Sequence, residues 1–222
     1  MGFWSGVCSI ASSVFSAASS LISSAGSILG SLAGSANIFL KVAAPWFGAV
    51  LDIINIIGQL LGVLNPDDDM EELGAKAMGA DKKPEDFDSN AEYIDYLRND
   101  IELDKEKFEN ATDSERVARQ AVGATIVIKG IEEKKGFDIP MTTWVAMAKL
   151  GLDDKANEMD KILDTFKEGK LEDFVNYTEG KLDAKKEIEV GDSLVEMYKE
   201  LESNMSEKEI EDKVMKMDIG DK

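Results

Sequence analysis

Histidine is absent from the 222 residues, cysteine occurs once, at Cys8, and no charged side chain precedes Lys41. The first absence removes the commonest general base and makes Ser–His or Cys–His nucleophile pairs impossible. A single cysteine excludes an internal disulfide and any CxxC zinc pair. Basic residues are also scarce: 25 Lys and Arg stand against 44 Asp and Glu, a formal charge of −19 that repels phosphate backbones and excludes nucleic acid as a partner. No basic n-region opens the chain, and its apolar stretch is far longer than a signal h-region, so a cleaved secretory signal peptide is not expected.

Recognised chemical motifs are missing as well. Gly74 and Gly79 have the spacing of a phosphate-binding loop, but Ala80 and Asp81 stand where Lys and Ser or Thr are needed, and no DxDxDG calcium loop occurs. Paired carboxylates are so abundant that no pair is distinguished as an acid/base couple. The sequence therefore nominates no catalytic residue, no cofactor and no metal site, and the chain reads as a non-enzyme.

What is present is segregated. Residues 1–65 hold one Lys (Lys41) and one Asp (Asp52), while the remaining 157 residues carry the whole excess of negative charge. Between residues 9 and 35 stand eleven serines. At 100° per residue Val7, Ala11, Val14, Ala18, Leu21, Ala25, Ile28 and Leu32 share one stripe, and Ser9, Ser13, Ser16, Ser20, Ser23, Ser27 and Ser31 lie opposite. Serine hydroxyls inside a helix bond back to the carbonyl one turn earlier, so they need not be left unsatisfied in an apolar medium. Gly26, Gly30 and Gly34 recur every fourth residue, the small-xxx-small spacing that brings helix backbones close where lipid supplies no hydrophobic drive.

A second apolar segment covers residues 41–64. From Trp46 to Leu64 it predicts roughly 28 Å of helix, close to the ~30 Å of a bilayer's hydrocarbon. Gly48, Asp52, Asn55, Gln59 and Gly62 share one face of it, which would suit the serine stripe, with the turn expected at Ser35, Ala36 and Asn37. Asp52 inside a bilayer costs ~2.5 kcal/mol or more unless it is neutral, paired or wetted. Trp4 and Trp46, each beside a Phe, match interfacial anchors.

The glycine series Gly26, Gly30, Gly34 resembles the glycine zipper of bacterial pore-forming toxins and membrane-depolarising effectors, over the first quarter of the chain. A glycine-bearing helix followed by one with a central carboxylate, Asp52, also resembles in outline the rotor-ring hairpin of rotary ATPases, although the glycine spacing differs and the basic polar loop is missing. The first resemblance implies a membrane-inserting homo-oligomer that passes ions and associates with a lipid bilayer.

Beyond residue 64 the patterns are those of short helices. "NPDDDMEE" reads as a helix start with Asn65 as N-cap, followed by a polar linker at 80–90. Tyr93, Leu97 and Ile101 mark one helix, Thr112 to Glu115 a capping box, Met159, Ile162, Leu163 and Phe166 another helix, Leu194, Tyr198 and Leu201 a later one, and Ser206 with Glu209 a last cap. Residues 125–131, "TIVIKGI", have strand-like composition that propensity alone does not decide.

The expectation is an all-α protein: an apolar helical hairpin (1–64) that inserts in a membrane or forms an oligomer core, a capped helix and polar linker (65–90), and an acidic bundle of short helices (91–222). In the hairpin Ser20, Ser23, Ser27, Ser31, Asp52, Asn55 and Gln59 would line a polar path, packed through the three glycines, with hydrocarbon covering the backs. Its expected location is a membrane, reached by secretion into a target cell with a chaperone or immunity protein shielding residues 1–64. The alternative is a non-enzymatic scaffold or assembly protein whose N-terminal helices form an oligomeric core or anchor.

Overall fold

A computed structural model describes residues 3–167 and 169–220, with side chains from residue 12 onward. In chain order the helices are α1 (Phe3–Ser24), α2 (Gly26–Leu29), α3 (Ser31–Ala43), α4 (Phe47–Leu60), α5 (Met70–Gly79), α6 (Asn90–Asn99), α7 (Lys105–Glu109), α8 (Asp113–Lys135), α9 (Met141–Lys149), α10 (Ala156–Thr165), α11 (Leu171–Thr178), α12 (Ala184–Leu201) and α13 (Glu207–Met215). Single 3-10 turns lie at Ala44–Trp46 and Pro84–Asp86, and no strand occurs among the described residues. The protein is all-α, with the apolar helices first and the shorter ones after them.

The long helix α8 organises the rest. Thr112 caps it: its hydroxyl accepts from the Glu115 amide at 3.3 Å while the Glu115 carboxylate accepts from the Thr112 amide at 2.8 Å. Gly136, at φ 79°, ends it, and its amide donates to the Glu132 carbonyl at 2.8 Å. Every residue from 121 to 128 is buried. A helix apolar on all sides needs neighbours on all sides, and α8 has them in α1, α3, α4, α5 and α6. The segment "TIVIKGI" lies inside it. Its β-branched residues pack as helix because burial on every face outweighs a propensity difference of less than ~1 kcal/mol per residue.

Helix α5 makes the most extensive contact with α8, and glycines set its closeness. A Cβ built on Gly74 would stand 1.9 Å from the Arg119 carbonyl oxygen, and one on Gly123 would stand 1.7 Å from that of Met70. Backbone touches backbone in both directions, so the small-residue helix contact of this protein lies at α5 and α8. Gly58 plays a related part in α4, where a Cβ would meet Val127 at 2.8 Å.

The remaining helices form an outer layer. α9 lies against α3 and α4, α11 joins α9 to α12, and α10 and α13 pack on α12. One apolar cluster runs without interruption from Ala18 and Ile22 to Val214 and Met217. The break in composition at residue 64 is thus not a break in packing. Arg98 fastens the junction: its guanidinium donates to the Val63 carbonyl at 2.8 Å and pairs with Asp68 at 2.5 Å and Asp95 at 2.9 Å. Helix α5 begins four residues later than "NPDDDMEE" suggested. Asp69, with its side chain accepting from the Glu72 amide at 2.9 Å, is the N-cap, and Asn65 instead closes a turn whose amide donates to Asp68 at 2.6 Å.

Replacing Gly123 by Ala should lower unfolding stability by about 3 kcal/mol or more, because a methyl group there meets backbone that has no rotamer to escape into. Urea denaturation of Gly123→Ala beside Gly79→Ala, where an added Cβ meets nothing within 4 Å, measures the difference.

Candidate functional site

The N-terminal segment forms a hairpin, but its corner is not where the serines and asparagine suggested. α1 and α3 pack side by side, and the chain reverses at residues 25–30, while Ser35, Ala36 and Asn37 lie inside α3. Gly30 makes the reversal possible. Its φ of 56° with ψ of −129° belongs to a region closed to side chains, and a Cβ there would stand 2.2 Å from a Glu85 carboxylate oxygen. That carboxylate accepts from the Ser31 amide at 2.6 Å and so caps α3 from a loop 54 residues away. Burial alone would raise the Glu85 carboxyl, but hydrogen bonds from the Ser31 hydroxyl and amide outweigh it and hold it below the ordinary glutamate range.

The glycine series does not form one ridge. Gly26 opens α2, Gly30 is the corner, and Gly34 stands on the exposed side of α3 with nothing within 4 Å of its built Cβ. In this fold the three glycines pack no helix against another: a Cβ built on Gly26 would meet only that of Ala33, at an ordinary 3.9 Å.

The two faces of the hairpin are reversed relative to the expected pore. Ala18, Ile22, Leu29, Leu32, Phe39, Val50, Ile53, Ile54 and Ile57 are buried, in a core shared with α8 and α9. Ser20, Ser23, Ser27, Ser31, Asp52 and Gln59 are exposed, and Asn55 is half-buried. Of the expected stripe Ala18 and Leu32 are buried and Val14, Leu21, Ala25 and Ile28 half-buried, while the side chains of Val7 and Ala11 lie outside the described residues. The buried side turns inward on protein, because α8 and α9 supply the apolar medium that hydrocarbon was expected to supply. Asp52 makes no ion pair among the described residues, and Gln59 donates to Asn55 at 3.5 Å along the outer face of α4. The serine back-bonds are present: Ser23 donates to the Ser19 carbonyl at 2.8 Å and Ser24 to that of Leu21 at 2.7 Å. Trp46 is 40 % exposed and lies beside Lys149, Glu179 and Ile219. The Trp4 side chain lies outside the described residues.

Polar contact between α1 and α3 is local. Ser19 donates to Asn37 at 2.6 Å and Asn37 to Ser23 at 3.2 Å. Beside this clasp α1 and α3 border an open groove of about 780 Å³, lined by Phe15, Ile38, Leu40, Ala44 and Pro45 together with Ser16 and Lys41. Phe15, on the groove's lining, packs edge to face with Phe47, the ring centres 5.2 Å apart. From the groove the span Ser31–Leu60 continues through the proline turn, with a mean hydropathy of 1.6 and 33 % of its most apolar window buried.

A second cluster sits in the acidic layer. Glu158 on α10 is buried, with the Tyr198 hydroxyl donating to one oxygen and Lys213 donating to the other at 3.1 Å. Lys213 also pairs with Glu202 at 2.5 Å and lies 4.1 Å from the Tyr198 ring centre. Burial, then the bond to Glu158, pushes the Tyr198 phenol far above its ordinary range and keeps it a donor. Both carboxylate oxygens are occupied by the cluster itself, so its chemistry is that of a clasp joining α10, α12 and α13. Among the described residues no group of three or more metal-ligating side chains comes together. Comparison with protein-family models, with curated proteins and with solved structures finds no match to this chain.

Sequence reasoning missed Glu85, Glu158 and the groove. Nothing local marks Glu85, whose partner is 54 positions away. Lys41 did carry a signal, as the single basic residue of the first 75.

Because the Glu85 pKa is depressed by folding, its contribution is present above the ordinary value of 4.5 and is lost as pH falls through the lower folded value. Urea midpoints of the native chain and Glu85→Gln should therefore differ at pH 7 and converge as pH falls below 4.5. Gly30→Ala should lose on the order of 1–3 kcal/mol at any pH.

Proposed function

We infer that this is a non-enzymatic assembly or scaffold protein in which the N-terminal helices anchor the fold and the acidic helices α10–α13 display a charged interaction surface. The observation that carries this reading is the direction of the apolar stripe. α1, α3 and α4 bury it on α8 and α9 of the same chain, and removing them would open to water the sides of α8 that α5 and α6 leave uncovered. Apolar burial is worth roughly 25 cal/mol per Å², so that exposure opposes any exit of the hairpin from the folded chain. The partner class follows from charge: the surface is acidic and selects basic or dipolar protein surfaces over nucleic acid.

A second reading is favoured by a specific feature. Ser31–Leu60 is long and apolar enough to cross a bilayer, two thirds of its most apolar window is not buried, and Ile38, Trp46 and Leu60 are exposed on it. In this reading the hairpin leaves the bundle at a membrane, oligomerises through its small residues and dissipates ion gradients as a pore-forming or depolarising effector. A chaperone or immunity protein would then shield residues 1–64 before delivery.

Partition distinguishes the two. An assembly protein should leave the membrane fraction on alkaline carbonate extraction and run as a discrete particle by light scattering, whereas an inserted hairpin should stay in the pellet. Potassium release from liposomes, altered in selectivity by Asp52→Asn, would establish the second reading; no release at any protein-to-lipid ratio or pH would remove it.

A further inference from the structure

We propose that the groove between α1 and α3 binds a single-chain anionic amphiphile, an alkyl carboxylate of medium length, with its chain along the groove and its carboxylate at Lys41. The site is independent of both readings above. Its volume, about 780 Å³, falls among the ~300–1,000 Å³ of ligand sites. Positions 12–19 of α1 and 37–45 of α3 and the following turn line it, which at about 1.5 Å per residue makes it roughly 10–12 Å long. That shape suits an alkyl chain of medium length, and the walls offered by Phe15, Ile38, Leu40 and Pro45 are apolar. The Ser19–Asn37 hydrogen bond of 2.6 Å shuts one end with a satisfied polar pair.

Charge selects the headgroup. Lys41 is the single basic residue among the first 75, is exposed, and makes no ion pair among the described residues. A lysine stem lies along an apolar wall while its ammonium reaches the rim, and Ser16 lines the same groove with a hydroxyl donor. A molecule of net charge −19 repels an anion over most of its surface, so an isolated cation at the mouth of an apolar groove sets this place apart.

The test is calorimetric titration of the full chain with decanoate and with decanol, each below its aggregation limit, and with phosphatidylcholine vesicles. Lys41→Gln and Ile38→Ser both change exposed side chains, and unchanged melting curves check their folding. The expected result is saturable binding of one decanoate per chain, weakened roughly tenfold by Lys41→Gln, the scale of one charge-assisted hydrogen bond. Decanol should bind more weakly than decanoate and ignore Lys41→Gln, while Ile38→Ser should weaken both. Non-saturating uptake, equal affinity for decanoate and decanol, or indifference to both substitutions would overturn the proposal. So would vesicle binding that depends on Ile38 without any binding of decanoate, which would make the groove a bilayer contact.

Discussion

The backbone-to-backbone contact of α5 with α8 is the constraint on which the fold rests. Gly74 faces the Arg119 carbonyl and Gly123 faces that of Met70 at distances no side chain tolerates, so the two helices meet backbone to backbone. This contact pins one side of α8 and leaves its other sides to α1, α3, α4 and α6. Because residues 121–128 are buried on every face, the N-terminal helices are not an accessory to the acidic part. They complete its core.

The segregation of charge along the sequence is resolved in space as layers. The uncharged hairpin supplies one wall of the core, the acidic helices supply the outer layer, and a few ionic clasps join them. Arg98 ties the end of α4 to α6, and Glu85 caps α3 from the polar loop. The partly buried pairs are hydrogen-bonded on most of their polar atoms, as at Glu158 with Tyr198 and Lys213, which is the condition under which a buried carboxylate is tolerated. The clasps fix arrangement, and the apolar burial supplies most of the stabilisation.

The reversal of the hairpin's faces has a general cause. A helical stripe of Ala, Ile, Leu and Phe reports only that it needs a nonaqueous neighbour, and lipid and protein interior meet that need alike. The small residues opposite are likewise compatible with close packing or with solvent. In this chain Gly34 and Ser27 face outward, while the glycines that do bring backbones together, Gly74 and Gly123, come one from each of two helices far apart in sequence and do not belong to the Gly26, Gly30, Gly34 series.

Helical character, the capping boxes at Thr112 and Ser206, the apolar faces and the abrupt change at residue 65 were legible in the sequence, because each follows from spacing within a turn or two. The start of α5 at Asp69 rather than Asn65 was not, since several acids in one run compete for the cap and the packing of α5 on α8 chooses among them. Nor was the helical state of residues 125–131, where enclosure by five helices overrides β-propensity. The sequence by itself determined, through the period of the apolar residues, that residues 12–60 are largely helical with one side hidden from water. Only the tertiary structure decided what hides them, where the hairpin turns, and that a groove opens beside Lys41, because those outcomes depend on Gly30, Glu85 and α8 meeting across long stretches of chain.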